Sequence, residues 1–340
     1  MSHLYVATNG LSVWHSRDRG ETLLRMSTGT GMYSGSQVWA LALHPTEQHT
    51  LLAGTNTGVY RLDQKKSIWT HIDSPMDDAA LVTALAYAPD DPNVIIAGTQ
   101  PAGLYRTADG GRSWRKLDVP MQPYALTGYY LGDNPYPAGH PLAAGQKHWT
   151  RLTQIVFDPK DSNTVWAGVE IDGAWRSTDR GLTWERHDSG IKTADIHGFA
   201  VVNNGARRLI ATTNDGVYVS GDDGAHWTVQ PIDSPWQYTR SIAERPDRSG
   251  VMFMTNGNGP PGTDGKLFRS RDWGKSWQDA KLPGECESSA YFLAVNPADP
   301  KLVYAAATLG QLWRSDDGGE SWTALKRRLG EIRALAWLPD

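Results

Sequence analysis

The chain has 340 residues, 39% of them hydrophobic and 21% charged, with a formal net charge of −4, so it can bury a large core and carries no bulk charge suited to a nucleic-acid or membrane surface. No run of about 18 apolar residues occurs, and Leu4-Tyr5-Val6-Ala7 opens a strand-like segment with no basic region and apolar stretch before it, so the expectation is a soluble, cytoplasmic protein. Cys286 is the single cysteine, which excludes an intrachain disulfide and any multi-cysteine metal site.

The excess of Trp (15) and Gly (35) is periodic. In chain order, a weak copy of Ser/Thr-x-Asp-x-Gly-x-x-Trp stands at Ser16-Asp18-Gly20 with Leu23 in the Trp slot, and a weaker one at Leu62-Gln64-Lys66 with only Trp69 retained. Full copies follow at Thr107-Asp109-Gly111-Trp114, Ser177-Asp179-Gly181-Trp184, Ser220-Asp222-Gly224-Trp227, Ser270-Asp272-Gly274-Trp277 and Ser315-Asp317-Gly319-Trp322. Two residues before each Ser slot stands an aromatic: Trp14, Tyr60, Tyr105, Trp175, Tyr218, Phe268 and Trp313. That row makes the two weak copies credible.

Each copy lies in a larger unit, such as Trp39-Ala-Leu-Ala-Leu-His-Pro45, Leu51-Leu-Ala-Gly54, Gly58-Val-Tyr-Arg61 and then the box. This reads as four short strands, A to D, separated by turn residues. Units of about 45 residues have the size of a propeller blade. The chain starts with strands B, C and D (Leu4 to Met26) and ends on a lone strand A (Ile332 to Trp337), so joining them closes an all-β ring of seven four-stranded antiparallel blades over residues 1–340. The box residues act locally, since Asp accepts backbone N–H groups across the C–D turn, Gly supplies positive φ, and Trp packs between sheets. Boxes and their aromatics are therefore scaffold.

The repeated box resembles the Asp-box, or BNR-repeat, propeller family over nearly the whole chain. That family includes sialidases, xyloglucanases, sortilin-type receptors and a photosystem assembly factor, so the resemblance implies a fold more firmly than a function. The wording Ala-Leu-Ala, Ala-Gly-Thr and Gly-Val-Tyr-Arg is most similar to xyloglucanases and their single-propeller relatives. Xyloglucanases pair two propellers and take their two acidic groups from different domains, whereas this sequence supplies one propeller. A sialidase would need a Phe-Arg-Ile-Pro segment, which is absent, and six blades.

In an up-and-down blade the A–B and C–D turns share one face of the disc, and the B–C and D–A loops share the other. Both clear insertions fall on the face opposite the boxes. One is the D–A connection from Val119 to Thr150, with Tyr124, Tyr129, Tyr130, Tyr136, His140, His148 and Trp149; the other is the B–C loop from Asn256 to Lys266. Long loops in a compact fold tend to be lids or binding loops.

Counting back six positions from the Pro that ends strand A, or its equivalent, gives the residues expected at the central opening: Trp39, Thr83, Thr153, Gly198, Arg240, Tyr291 and Arg333. Gln37, Arg151, His197, Tyr238 and Glu331 stand just before them. Facing B–C loops add Asn56, Gln100, Glu170, Asp172, Asn214, Asp215 and Asn256. Glu170, His197 and Glu331 are the candidate catalytic groups. Trp39, Trp149, Arg151, Asp172, Tyr238, Arg240, Asn256, Tyr291 and Arg333 are the candidate substrate contacts. The set suits a ligand with an anionic group and a stackable face, since Arg holds oxyanions in bidentate fashion and aromatic rings pack on sugars. No His or Cys set has metal-ligand spacing, and no cofactor is expected.

Three function classes follow, with the first slightly ahead. They are a hydrolase or lyase acting on a glycan or small anionic substrate under the insertion, a non-catalytic ligand-binding or sensor propeller, and a protein-interaction scaffold using the loop-bearing face.

Overall fold

A computed structural model describes residues 2–126 and 147–340. It contains seven four-stranded antiparallel sheets, each ordered A-B-C-D from the centre outward. Blade 1 is assembled from both ends of the chain: Ser2–Thr8 pairs with Ile332–Pro339 from Ser2 opposite Pro339 to Thr8 opposite Ile332. Blades 2 to 7 follow in order, with innermost strands Val38–Leu43, Leu81–Tyr87, Arg151–Phe157, Ile196–Asn203, Tyr238–Glu244 and Ala290–Ala294. The outermost strands have two or three residues in every blade except the second, leaving little free edge for aggregation. Among the described residues the only helix is the single turn Thr28–Thr30, and no helix is long and apolar enough to cross a membrane.

The box turns close as their residue types require. In blade 4, Ser177 Oγ donates to Asp179 Oδ1 at 2.8 Å and accepts the Gly181 N–H at 2.8 Å, while Asp179 Oδ1 accepts the Thr183 N–H at 2.8 Å. Blades 1, 3, 5, 6 and 7 repeat the pattern. Blade 2 lacks the Ser, Asp and Gly. Its hairpin is instead extended, with strand C at Gly58–Asp63, strand D at Ile68–Ile72, and Gln64 Nε2 donating to Pro339 O of the closing strand at 2.7 Å.

The box glycine also sets the spacing between blades. A Cβ on Gly181 would lie 2.3 Å from Ile96 of blade 3, on Gly224 2.3 Å from the Trp166 ring of blade 4, on Gly274 2.5 Å from Ile210 of blade 5, and on Gly319 2.3 Å from Phe253 of blade 6. Each blade that carries the box thus presses a glycine, at positive φ, onto the sheet before it. The Arg that follows the strand C aromatic completes the joint. Arg61 donates to Gly110 O at 2.6 Å, Arg106 to Arg180 O at 3.0 Å and Arg314 to Arg19 O at 2.9 Å, each reaching the next blade's box turn. Aromatics such as Trp166, Tyr218, Phe268 and Trp313 fill the space between sheets and are fully buried.

Two outcomes check this account. Gly205→Ala, at φ 106 with open space around it, should cost about 1 kcal/mol from backbone strain, whereas Gly224→Ala should cost roughly 2 kcal/mol more because its methyl meets Trp166; urea unfolding of the two variants compares them. The box carboxylates make acid stability the second check. Hydrogen bonds from the His226 N–H, the His226 ring and Ser220 hold Asp222 at about 2, below its ordinary 3.8, so its stabilisation is complete above pH 4 and is lost as pH falls from 4 to 2. Asp222→Asn should flatten that part of the acid-unfolding curve.

Candidate functional site

Strand A of every blade is broken at one level by a β-bulge. The residues left out of register are Arg333, Trp39, Thr83, Thr153, His197, Arg240 with Ser241, and Tyr291. A bulge frees a residue from the ladder and re-aims its side chain, so seven such positions ring the channel on the side opposite the boxes. Sequence counting located six of them. In blade 5, where no Pro ends strand A and the strand runs to Asn203, the count is off by one: the bulge is His197, and Gly198 lies against Gln154 and the Arg240 carbonyl.

Part of this ring ties neighbouring blades together. Thr83 Oγ1 donates to Leu152 O at 2.7 Å, Thr153 Oγ1 to Ile196 O at 2.7 Å, His197 Nδ1 to Thr239 O at 2.5 Å, and Ser241 Oγ to Tyr291 O at 2.6 Å. Each hydroxyl or ring N–H satisfies a carbonyl of the next blade's inner strand. The remaining bulge residues, Arg333, Trp39, Arg240 and Tyr291, are large and aim elsewhere.

These large side chains meet around a cavity of about 250 Å³ lined by Trp39, Arg151, His197, Arg240 and Arg333, with Leu41, Leu85, Ile155, Leu293 and Leu335 beneath them. The Arg333 and Arg151 guanidiniums lie 3.9 and 5.0 Å from the centre of the Trp39 ring, and that of Arg240 lies 4.9 Å from the Tyr291 ring. Tyr238 and Tyr291 stack and share an O–H···O bond of 2.7 Å. Glu170 forms an ion pair with Arg151 and lies 4.0 Å from Arg240 Nη2. Glu331 pairs with Arg333 and accepts from Asn9 Nδ2 at 2.8 Å. Trp39 Nε1 and Arg333 Nε are buried with no hydrogen-bond partner in the protein.

Asp195 is the residue the sequence reading missed. Its Oδ1 lies 3.2 Å from His197 Nε2, and although burial pushes its carboxyl up, His197, Arg240 and Arg151 outweigh burial and hold it low. The signal was present. Two residues before the bulge stand Gln37, Arg151, Tyr238 and Glu331 in other blades, and the one-residue offset in blade 5 put the apolar Ile196 at that position in place of Asp195.

Three charged arginines thus face three carboxylates. Burial pushes Arg333 down to about 10, with Arg151 and Arg240 adding to that effect against the pull of Glu331. Burial also raises Tyr238 and Tyr291 above the ordinary phenol range, so both are neutral hydrogen-bonding groups at pH 7.

Other predicted contacts lie outside this cluster. Asn256 is fully buried and engaged, accepting from Ser234 Oγ at 2.7 Å and donating to Trp236 O and Tyr238 O at 3.0 and 2.9 Å. Asp172 accepts the Gln122 N–H at 2.8 Å and faces Arg186 at 3.5 Å, at the base of the long D–A insertion. Trp149 is 55% exposed on the strand Lys147–Trp149, which pairs with Tyr124–Leu126 as the stem of that insertion. Tyr129, Tyr130, Tyr136 and His140, and with them the expected lid, lie outside the described residues. The 256–266 loop is tied down: Asn258 Oδ1 accepts the Thr263 N–H at 2.8 Å, and the Ser289 N–H of blade 7 donates to Pro261 O at 2.8 Å.

Comparison with known proteins fits the repeat. The Sortilin-Vps10 family model (sortilin, neurotensin receptor 3) matches residues 215–336. A xyloglucanase of Hypocrea jecorina is 24% identical over 86% of this chain and 38% of its own length, and the chloroplast photosystem II stability/assembly factor of Arabidopsis thaliana is 22% identical over 82% of this chain and 76% of its own. The crystal structure of the xyloglucanase from Xanthomonas campestris superposes with a TM-score of 0.62 at 23% identity, covering 85% of this chain and 45% of that one. The chain is a seven-bladed propeller with the Ser/Thr-x-Asp-x-Gly turn in six of its blades. This propeller spans 32 to 38% of the length of the first xyloglucanases it matches, and its relatives comprise both glycosidases and assembly factors.

Asp172 gives the propeller a testable pH signature. Burial pushes its carboxyl up to about 6, against the Gln122 N–H and Arg186. A folded value above the unfolded one stabilises the protonated form, so this contribution is full below pH 4 and is lost as pH rises through 6. Asp172→Asn keeps an acceptor for Gln122 and removes the charge. Its Tm should match the wild type at pH 4 and exceed it at pH 7.5; a wild type that is the more stable at pH 7.5 refutes the assignment.

Proposed function

We propose that the central opening is a non-catalytic binding site for the carboxylate end of a small or glycan-derived ligand. The observation that carries this reading is the convergence of Arg151, Arg240 and Arg333, from three different blades, on one small cavity beside Trp39 and Tyr291. Arg240 is the group best placed for a ligand: its guanidinium is only loosely approached by Glu170, at 4.0 Å, and by Tyr238 Oη, at 3.4 Å. An incoming carboxylate competes with Glu170 for two arginines and gains charge-assisted hydrogen bonds in a site shielded from water. A cavity of about 250 Å³ takes one sugar ring or a comparable group, not a length of polysaccharide.

The hydrolase or lyase reading rests on the likeness to xyloglucanases, with Glu170 as its first carboxylate. A glycosidase needs a protonated acid and a second carboxylate about 5 to 10 Å apart. In this opening Glu170 is paired to Arg151, Glu331 to Arg333, and Asp195 to His197, whose two ring nitrogens are both engaged. These pairings favour binding over catalysis.

The two readings make opposite predictions for one variant. Under the binding reading, Glu170→Gln lowers the Tm of the free protein by stranding Arg151. It tightens binding of acetate, benzoate or glucuronate about fivefold by calorimetry, the equivalent of one competing hydrogen bond. Arg240→Ala weakens the same ligands tenfold or more. Loss of binding in Glu170→Gln, or turnover of a glycoside that the variant abolishes, contradicts the binding reading and restores Glu170 as a catalytic group.

A further inference from the structure

The opening does not end at the arginines. Strand A runs from the loop-bearing face to the box face, so successive inward residues lie at increasing depth, about 3.3 Å per residue. Below the bulge level the lining changes character. Leu41, Leu85, Leu293 and Leu335 form the floor of the arginine cavity, and the same four residues belong to a second cavity of about 300 Å³ that continues through Leu43, Ala86, Tyr87 and Val295. No side chain lining that second cavity carries a formal charge. Leu41, Leu43, Leu293 and Val295 are only part-buried there, so aliphatic surface is left uncovered at the centre of the ring.

We propose that the occupant of this channel is a carboxylate with an unbranched aliphatic tail, its head held by Arg151 and Arg240 and its tail running down between Leu41, Leu85, Leu293 and Leu335. The inference rests on the reading of the opening as a carboxylate site and adds the chemistry of the rest of the ligand. Two arguments select this occupant. The two cavities share four leucines in their linings, so a head bound at the bulge level has apolar side chains directly below it. The change from charged to aliphatic lining also occurs within about two residues of strand, between Trp39 and Leu41 and between Arg333 and Leu335, or about 7 Å. A polyhydroxylated body would have to desolvate its hydroxyls against leucine without partners, which is unfavourable, whereas each methylene entering the tube leaves water. From the bulge to Leu43 or Val295 the path is about 13 Å, enough for a medium-length chain.

Calorimetric titration of the intact protein with a homologous series from acetate to decanoate, with glucuronate and octanol as controls, tests the proposal. Affinity should rise about fourfold per methylene between butanoate and octanoate, glucuronate should bind more weakly than hexanoate, and octanol should fail to match octanoate. Val295→Asn, below the arginine cavity, should weaken octanoate while leaving acetate affinity unchanged, and the wild-type series stands by itself if that variant does not fold. A flat series, or glucuronate binding more tightly than hexanoate, overturns the aliphatic tail and leaves the carboxylate site standing. No binding by any carboxylate overturns both.

Discussion

Six of the seven blades press a glycine against the sheet of the preceding blade, and the geometry of the ring depends on that approach. The serine and aspartate of the box hold the turn so that the glycine N–H points inward to Ser Oγ and its missing side chain faces the neighbour. With a Cβ, Ile96, Trp166, Ile210 or Phe253 would have to withdraw, and close-packed sheets have few voids into which to withdraw. The arginine after the strand C aromatic then bonds the carbonyls of the same turn from the other side of the joint. Blade 2 lacks this turn and is held differently, through Gln64 and the strand that closes the ring.

Fixed spacing at the outer turns places the inner strands close enough for side chain to backbone bonds across the channel rim, and the bulges depend on this. A bulge leaves ladder groups unpaired. On blades 3 to 6 short polar residues or His197 pair carbonyls of the next inner strand, while the large residues Trp39, Arg240, Tyr291 and Arg333 converge on the cavity and its rim. The opening is consequently charged yet nearly balanced, because Glu170, Glu331 and Asp195 accompany the three arginines. Resident carboxylates of this kind offset the cost of burying the guanidiniums.

Much of the fold was legible because its constraints are local and repeated. The box, the aromatic two residues before it and the Pro after strand A recur at fixed offsets, so even the degenerate copies at Ser16 and Gln64 could be placed. The ring of inward positions followed from the same offsets, which is why Trp39, Arg151, Arg240, Tyr291 and Arg333 were found. Where an offset fails, a residue is lost: the one-residue difference in blade 5 moves the count from Asp195 to Ile196. Partner choice was not legible. Asn256, Asp172 and His197 are polar residues at the expected level whose side chains serve the scaffold, and nothing in their spacing separates a side chain that bonds a neighbouring carbonyl from one that meets a ligand. The pairing of Glu170 with Arg151, which shifts the reading from catalysis to binding, is likewise a fact of three dimensions.

On the proposed function, Arg151, Arg240 and Arg333 receive a carboxylate in competition with Glu170. Diffraction from crystals soaked in 4-bromobenzoate tests this, since bromine can be located by its anomalous signal. The account predicts bromine in the cavity lined by Trp39, Arg151, Arg240 and Arg333, with the ligand carboxylate on Arg240 and Glu170 drawn away from it. Bromine found only outside the channel, with the Glu170 and Arg151 pair undisturbed, would contradict it.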